Sequence, residues 1–263
     1  MGKLTDFLGA AADVLHAATG NSKEKKFTSA VIVAGGFSLR MCGDKTKQMM
    51  EIDGTPIVVH TLLAFQNCDR ISEIIVVAKS DEIPIYDEFA RQYNITKLTK
   101  TVAGGETRQQ SALNGFDATS PKCEYVAIHD AARCLISPFD IEKVLDSAIK
   151  YGAASASVSV VDTVKIVDNK GFVIRTEDRN TVKLAQTPQI FSRNLYCAAA
   201  YTAKEEGVEV TDDNMLVERI GHPVKMVECD RNNIKITIPD DILKAERIID
   251  DRNKKERAEK CSE

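Results

Sequence analysis

The sequence predicts an α/β fold in which helices cover both faces of a mostly parallel β-sheet. Between residues 28 and 250, apolar runs rich in β-branched residues alternate with segments of helical periodicity, and this alternation is typical of strand–helix–strand units. The strand candidates are apolar along nearly their whole length, as expected for strands that are buried on both faces. A chain of 263 residues is long enough for one large α/β domain or two small ones.

The predicted strands and helices follow one another in a regular order. Strands are predicted at 30–33, 74–77, 125–128 and 155–161. Helices are predicted at 56–65, 83–93, 107–118 and 138–150. Ser137 is a suitable N-cap for the last of these helices, and Pro138 suits its first turn. Because ligands bind beyond the carboxyl ends of parallel strands, we expect the functional site at that edge of the sheet.

One segment departs from this alternation and predicts a β-hairpin. Residues 160–167 have the character of a strand, Asp168-Asn169-Lys170-Gly171 that of a turn, and residues 172–176 that of a returning strand. The projecting arm spans about 160–183. An isolated two-stranded ribbon is only marginally stable, and contact with a second subunit is one way to bury its apolar side chains.

Composition argues against several classes of function. The formal net charge of -4 disfavours general nucleic-acid binding, and no apolar stretch approaches the roughly 18–20 residues that a membrane-spanning helix needs. The 7 cysteines are scattered and form no C-x-x-C pair, which is typical of free thiols in a reducing cytosol rather than of a zinc site. The sequence therefore predicts a cytoplasmic protein that binds neither nucleic acid nor membrane.

Two segments of different character flank the predicted domain at 28–250. Residues 1–27 form an N-terminal extension, and its apolar positions over 4–18 have the spacing of a short amphipathic helix. The sequence leaves open whether this extension docks on the domain. Residues 251–263 are highly charged and are predicted to form a solvated tail.

A glycine loop directly follows the first predicted strand. The run Ala34-Gly35-Gly36 leads to Arg40, and Lys47 follows further along. Glycines let backbone N–H groups approach phosphate oxygens closely, and the two cations add positive charge where a triphosphate would lie. The loop has neither the Gly-Lys-Ser/Thr ending of a P-loop nor the G-x-G-x-x-G spacing of a dinucleotide-binding loop. A plain glycine turn beside solvated charges is the alternative interpretation.

A series of motifs in a fixed order resembles one enzyme family. The motifs are Gly35-Gly36-Phe37 with Arg40-Met41, Lys47-Gln48, Gly104-Gly105-Glu106-Thr107-Arg108 with Ser111, His129-Asp130-Ala131-Ala132-Arg133, Asp162-Thr163-Val164-Lys165, Asp178-Arg179-Asn180, Gln186-Thr187-Pro188-Gln189, Thr211-Asp212-Asp213 and Asn233-Ile234-Lys235-Ile236-Thr237. Over about residues 28–250 the chain resembles the 2-C-methyl-D-erythritol 4-phosphate cytidylyltransferases of the non-mevalonate route to isoprenoids. The resemblance implies a single glycosyltransferase-A-like (Rossmann-like) nucleotidyltransferase domain, a homodimer with exchanged hairpin arms, and CTP with Mg²⁺.

The reaction that the resemblance implies joins the phosphate of methylerythritol 4-phosphate to the α-phosphorus of CTP and expels pyrophosphate. Two anions must meet, so the site needs concentrated positive charge and little covalent chemistry. By resemblance, Arg40 and Lys47 hold the triphosphate, and Lys235 lies near the α-phosphate and the incoming phosphate. A lysine at position 235 that only protects a strand edge from pairing is the alternative.

The resemblance assigns Asp130 to the magnesium ion. Mg²⁺ prefers oxygen ligands and keeps waters and substrate phosphates as its other ligands, so one carboxylate is enough. An aspartate that caps the N-terminus of a helix is the alternative interpretation. We expect His129 to be a packed residue at the strand end rather than a catalyst, because the attacking phosphate is already ionised.

The remaining site residues also follow from the resemblance. Those expected to bind the nucleotide are Ala34, Gly35, Gly36, Gly105, Glu106, Arg108, Ser111 and Ala131. Those expected to bind the acceptor are Arg133, Thr163, Arg179 and Thr187. In the family, the residues that match Thr163 and Arg179 reach from the hairpin into the site of the neighbouring subunit.

Two other functions remain as alternatives at this stage. A cytidylyltransferase acting on ribitol 5-phosphate or a similar polyol phosphate would share the CTP half of the site, so the acceptor rests on the motifs around Thr163 and Arg179. A catalytically silent nucleotide-binding homologue is disfavoured, because the chain keeps the charged residues expected to converge. The chain also departs from the family at Glu106, where an aspartate is usual, and at Cys134, where a proline is common.

Overall fold

The computed structural model describes residues 25–35 and 46–260 of the chain. The amphipathic helix predicted over 4–18 lies outside the described residues, as do Gly36 and Arg40 of the glycine loop.

A seven-stranded sheet forms the centre of the molecule, with the strand order β11-β7-β10-β6-β1-β4-β5. In chain order the strands are β1 (Thr28–Val33), β2 (Glu51–Ile52), β3 (Thr55–Pro56), β4 (Glu73–Ala78), β5 (Leu98–Ala103), β6 (Tyr125–Asp130), β7 (Ala153–Ser159), β8 (Lys165–Val167), β9 (Val173–Thr176), β10 (Lys183–Ser192) and β11 (Lys225–Glu228). Strand β10 runs antiparallel to β6 and β7, and the other neighbouring pairs of this sheet are parallel. The predicted mostly parallel sheet is therefore confirmed.

Helices cover both faces of this sheet, as predicted. They are α1 (Ile57–Gln66), α2 (Ile83–Gln92), α3 (Arg108–Asp117), α4 (Pro138–Tyr151), α5 (Arg193–Glu205), α6 (Asp213–Arg219) and α7 (Pro239–Lys260). Alternate residues of the same strand enter different cores, because successive side chains point to opposite faces. In β1, Ile32 packs in one core with α1, α2 and α4, whereas Val31 packs in the other with α3, α5 and α6.

A third, smaller apolar core joins the C-terminal helix to the first small ribbon. Ala245 of α7 and the neighbouring Ile236 pack with Ile52 of β2 and Ile57 of α1. Helix α7 continues through residue 250 and ends at Lys260, so the segment predicted as a charged tail begins within a helix. Arg252 of that helix donates a hydrogen bond to the carbonyl of Leu135 at 2.9 Å.

The four helices predicted from periodicity agree with the structure to within about two residues at each end, which is the usual uncertainty of helix boundaries. Ser137 is the N-cap of α4, as predicted, and its hydroxyl accepts a hydrogen bond from the backbone N–H of Asp140 at 3.1 Å. The strand predicted over 155–161 is displaced: β7 ends at Ser159, and Val161 is 59% exposed.

The predicted hairpin arm is present but has shorter strands than expected. Strand β8 contains only Lys165–Val167 of the predicted 160–167, because residues 160–164 have no strand partner in the described chain. The turn closes through a hydrogen bond from the N–H of Gly171 to the carbonyl of Asp168, and Gly171 has a φ of 85°. Phe172 is 70% exposed at the tip of the arm.

Several apolar side chains of the arm are exposed and are not covered by the described part of the same chain. The exposed apolar side chains of the ribbon are Ile166, Val167, Phe172, Val173 and Ile174. Contiguous exposed apolar surface on a small ribbon is typical of an interaction site.

Among the described helices, none combines the length and the hydropathy that a membrane crossing requires.

Helix α3 lies against the sheet at a glycine, and this contact is testable. A Cβ built on Gly115 would lie 2.3 Å from Cγ1 of Val31 and 2.6 Å from Cγ2 of Val77. We expect Gly115→Ala to lower the free energy of unfolding by about 1–3 kcal/mol, because overpacking outweighs the roughly 1 kcal/mol that alanine gains in helix propensity. Urea unfolding measures this change, and a variant more stable than the parent would contradict the tight contact.

Candidate active site

A cluster of opposite charges lies at Asp130, the last residue of the central strand β6. Its carboxylate accepts a hydrogen bond from Nε of Arg108 to Oδ1 at 2.9 Å and another from Nζ of Lys235 to Oδ2 at 2.7 Å. Asp130 is buried, whereas Lys235 is partly exposed. The structure thus brings together three residues that the sequence predicted for one site.

The two cations keep the buried carboxylate ionised. Burial alone would raise the pKa of Asp130, but the positive charges and hydrogen bonds of Arg108 and Lys235 outweigh it and hold that pKa below its usual range. Burial would likewise lower the pKa of Arg108, and its two carboxylate partners raise it instead. The site therefore holds fixed charges at neutral pH, as electrostatic catalysis requires.

The alternative interpretation of Asp130 as a helix N-cap is wrong. Asp130 lies within β6, and the next helix, α4, begins at Pro138 with Ser137 as its cap. The chain turns sharply after Asp130, because the N–H of Arg133 donates to its carbonyl at 3.0 Å.

A second carboxylate, Asp213, also holds Arg108. Nη1 of Arg108 donates to Oδ2 of Asp213 at 2.6 Å, and the hydroxyl of Tyr196 donates to Oδ1 at 2.9 Å. The sequence placed Asp213 in a motif but gave it no role. The sequence signal for such a role was the pair Asp212-Asp213. Asp212 caps α6 by accepting a hydrogen bond from the N–H of Met215. One cap is enough for a helix, so Asp213 is left for another function.

The start of the glycine loop extends β1 toward the same edge of the sheet. The N–H of Ala34 donates to the carbonyl of Val77 at 2.7 Å, and the N–H of Ala131 donates to Val33 at 3.1 Å. Because both N–H groups already donate within the sheet, a ligand would contact other atoms of Ala34 and Ala131. Gly35 follows at the edge, and Lys47 begins a short 3-10 turn, Lys47–Met49.

The loop at Gly105 and Glu106, which is predicted to bind the nucleotide, is held by hydrogen bonds to the helix that follows it, α3. The N–H of Gly105 donates to Oγ of Ser111 at 3.0 Å, and the N–H of Glu106 donates to Oε1 of Gln110 at 3.0 Å. A Cβ on Gly105 would lie 2.3 Å from Cγ of Gln110, so only glycine fits without rearrangement. Ser111 is buried and supports the loop, and Glu106 is exposed; their contact with a nucleotide stays a prediction.

Two of the predicted acceptor-binding residues lie beside Asp130. The backbone N–H of Asp130 donates to Oγ1 of Thr187 at 3.1 Å, and Thr187 is buried. Arg133 donates from Nη1 to the carbonyl of Asn233 at 3.0 Å, and its buried Nε has no hydrogen-bond partner among the described residues. The Thr187 hydroxyl thus supports Asp130, and contact of Arg133 with the acceptor stays a prediction.

The other two predicted acceptor-binding residues lie on the arm and are exposed. Nη1 of Arg179 donates to the carbonyl of Val161 at 3.0 Å, so within the described chain its hydrogen bond stays in the arm. Thr163 lies in the irregular segment before β8. The structure therefore does not bring Thr163 and Arg179 to the Asp130 cluster of their own chain.

His129 is a packed structural residue, as predicted. Its Nδ1 lies 3.1 Å from Oγ1 of Thr187, its Nε2 lies 3.2 Å from the carbonyl of Arg133, and its ring contacts Phe65. Burial lowers its pKa to about 3, so the imidazole is neutral at physiological pH. A neutral ring between two fixed partners orients the backbone on either side of Asp130.

The charge cluster is compatible with magnesium. Within the described residues, no group of three or more His, Cys, Asp or Glu side chains is arranged to hold a metal. A single ionised carboxylate suits Mg²⁺ bound mainly by phosphates and water, and each Asp130 oxygen retains a lone pair beyond its one hydrogen bond.

Comparison with known proteins decides between the families that share such a site. The sequence model of the family described as 2-C-methyl-D-erythritol 4-phosphate cytidylyltransferase matches residues 28–251. The chain belongs to the 2-C-methyl-D-erythritol 4-phosphate cytidylyltransferase family. The predicted resemblance and the predicted enzyme class are confirmed.

Curated members of the family align over most of the chain. The protein named 2-C-methyl-D-erythritol 4-phosphate cytidylyltransferase from Clostridium botulinum strain 657 is 40% identical over 222 residues, covering 84% of this chain and 97% of the relative. The protein of the same name from Caldanaerobacter subterraneus is 42% identical over 219 residues, covering 83% and 96%. The family model begins at residue 28, so the N-terminal extension lies outside the matched residues.

Solved structures confirm the fold. The 4-diphosphocytidyl-2C-methyl-D-erythritol synthase of Anaerococcus prevotii matches with a TM-score of 0.78 and 30% identity, covering 86% of this chain and 100% of that one. The 2-C-methyl-D-erythritol 4-phosphate cytidylyltransferase of Thermus thermophilus matches with a TM-score of 0.69 and 30% identity, covering 84% and 98%.

The buried neutral histidine predicts a pH dependence of stability. On unfolding, His129 regains a pKa near 6.5, so below that pH the unfolded chain binds a proton that the folded protein does not. We expect the free energy of unfolding to fall as the pH is lowered from 6.5 toward 5, with a slope of at most ~1.4 kcal/mol per pH unit from this group.

Denaturant unfolding of His129→Gln tests this origin. We expect the variant to be less stable at pH 7, because it loses the imidazole contacts, and to show a flatter slope between pH 6.5 and 5. His222→Gln, which alters a histidine in the loop between α6 and β11, is the control and should retain the parent slope. A parent-like slope in His129→Gln would assign the dependence to other groups.

Proposed function

We propose that the protein transfers the cytidylyl group of CTP to 2-C-methyl-D-erythritol 4-phosphate, giving 4-diphosphocytidyl-2-C-methyl-D-erythritol and pyrophosphate. The observation that carries the proposal is the Asp130 carboxylate held between Arg108 and Lys235 at the carboxyl edge of the sheet. Family membership supports this choice of reaction over the other chemistries that such a fold hosts.

The chain's own contribution is to bring two anions together. Lys235 has three N–H donors, of which Asp130 uses one, and its side chain is 39% exposed. It can therefore donate to a phosphate without leaving Asp130. Lys47 and Arg40 provide further positive charge on the triphosphate side of this proposal. Together these cations stabilise the charge that develops as the acceptor phosphate attacks the α-phosphorus.

Magnesium is part of the proposal, with Asp130 as its protein ligand. Bound Mg²⁺ neutralises phosphate charge and orients the triphosphate. The low pKa of Asp130 keeps the carboxylate available as an oxygen ligand across the physiological pH range.

A homodimer with exchanged arms would complete the acceptor site. The arm exposes apolar side chains and carries Thr163 and Arg179 away from the charge cluster of its own chain. In the proposed symmetric dimer, each arm would extend to the partner's Arg133 and Asp130. The same contact with the partner subunit would bury the apolar side chains of the arm and bring Arg179 to a charge cluster.

The proposed location is the cytoplasm. Of the cysteines that the structure describes, Cys68, Cys123, Cys134, Cys197 and Cys229 are free thiols. Free and mostly buried thiols suit a reducing compartment.

Pyrophosphate release by the purified protein tests the function. With CTP and Mg²⁺, we expect release with methylerythritol 4-phosphate and none with ribitol 5-phosphate. Release with ribitol 5-phosphate alone would preserve the CTP site and overturn the acceptor. Binding of CTP without release in either case would identify a silent homologue.

Lys235 provides the first variant of that assay. Lys235→Met removes the charge but keeps the apolar stem, and we expect kcat to fall about 10²–10³-fold, as when one preorganised donor to developing charge is lost. Lys225→Met, on the outer strand β11, is the matched control and should retain parent activity. Equal activities of the two variants would exclude a catalytic role for Lys235.

Arm exchange predicts complementation between inactive variants. A dimer of one Lys235→Met chain and one Arg179→Ala chain contains one site with both defects and one site with none. When the two variants are unfolded, mixed and refolded together, we expect about a quarter of the parent activity, because random pairing makes half of the dimers mixed. A mixture no more active than the separate variants would show that each arm serves its own chain.

A further inference from the structure

Asp213 is a buried carboxylate that none of the proposed steps uses. Its side chain is 1% exposed, and it is held from three directions. Oδ1 accepts from the Tyr196 hydroxyl at 2.9 Å, Oδ2 accepts from Nη1 of Arg108 at 2.6 Å, and its backbone N–H donates to Oε1 of Gln189 at 2.9 Å. A buried charge fixed in this way is costly unless each contact is made, so its position is tightly specified.

The partners of Asp213 are themselves fixed. The Tyr196 ring is fully buried and stacks on Phe191 with a centroid distance of 5.5 Å. Gln189 is buried in β10, and its Nε2 donates to Asp212 at 2.9 Å. Asp213 is therefore joined to the sheet through Gln189 and to α5 through Tyr196.

Of the described partners of Asp213, Arg108 is the one that also contacts Asp130. It is the first residue of α3, its side chain is 29% exposed, and its Nε is engaged by Asp130. A guanidinium is planar and has five N–H donors. Two anchors on different nitrogens fix the orientation of the plane. The other N–H groups have no hydrogen-bond partner among residues 25–35 and 46–260 and can donate to an anion.

We propose that Asp213 is a positioning residue that orients the Arg108 guanidinium for the nucleotide. Without its charge, the guanidinium would turn to form a two-pronged pair with Asp130, the geometry that arginine and carboxylate prefer. That pair would withdraw the N–H groups of Arg108 from the ligand. It would also compete with Lys235 for Oδ2 of Asp130.

This inference rests on the nucleotide site of the proposed function, and CTP binding tests the two separately. Isothermal titration calorimetry with CTP and Mg²⁺ is carried out on the parent, on Asp213→Asn, and on Asp212→Asn as the matched control. The control alters the neighbouring aspartate, which does not contact Arg108 in the described structure, and asparagine is an equally good N-cap. We expect CTP affinity to fall about tenfold in Asp213→Asn and to be unchanged in the control.

A double-mutant cycle distinguishes positioning from a structural defect. In the Arg108→Met background, we expect Asp213→Asn to have no further effect on CTP affinity, because the group through which it acts is gone. A tenfold loss that persists in that background, or parent affinity in Asp213→Asn, overturns the inference. Absence of CTP binding by the folded parent would overturn the proposed function itself.

Tyr196→Phe provides a second, milder variant if Asp213→Asn does not fold. It keeps the stacked ring and removes only the hydrogen bond to Oδ1 of Asp213. We expect a loss of about threefold in CTP affinity in the parent background and none in Arg108→Met. The melting temperature of each variant is measured alongside. A loss of CTP affinity that correlates with a lower melting temperature, and does not depend on the presence of Arg108, would contradict positioning.

Discussion

The paired cations at Asp130 are the interaction on which the rest of the site depends. A carboxylate buried at the end of a central strand is unfavourable unless its charge is compensated. Arg108 at the start of α3 and Lys235 in the segment before α7 supply that compensation from distant parts of the chain. The sheet order makes this possible, because β6 lies between β1 and β10 and ends where loops from both sides meet.

Beneath these charges lies a layer of neutral hydrogen bonds. Thr187 accepts from the backbone of Asp130 and contacts His129, and the Asn233 side chain donates to Gln186 and to the carbonyl of Thr187. Such groups are stable in the interior because most of their polar atoms have partners. This layer holds the backbone at Asp130 without adding charge of its own.

The sequence revealed the parts of the fold and site that depend on local pattern. Strands such as β1 were predictable because they are buried along their whole length, whereas β5 lies at the sheet edge and its partly exposed residues do not form an apolar run. Asp130 and Lys235 were predicted to share a site because they stand in motifs. Asp213 was not assigned a role, since its burial depends on contacts from α5 and β10 that no local pattern shows.

The third core has a consequence for biosynthesis. Ile236, next to Lys235, packs with Ala245 of α7 and with Ile52 and Ile57, which follow the glycine loop. The helix that completes this core is the final secondary-structure element of the described chain. During translation, α7 leaves the ribosome after every other described element, so the segment that carries Lys235 gains this packing only after the strands of the central sheet have been synthesised.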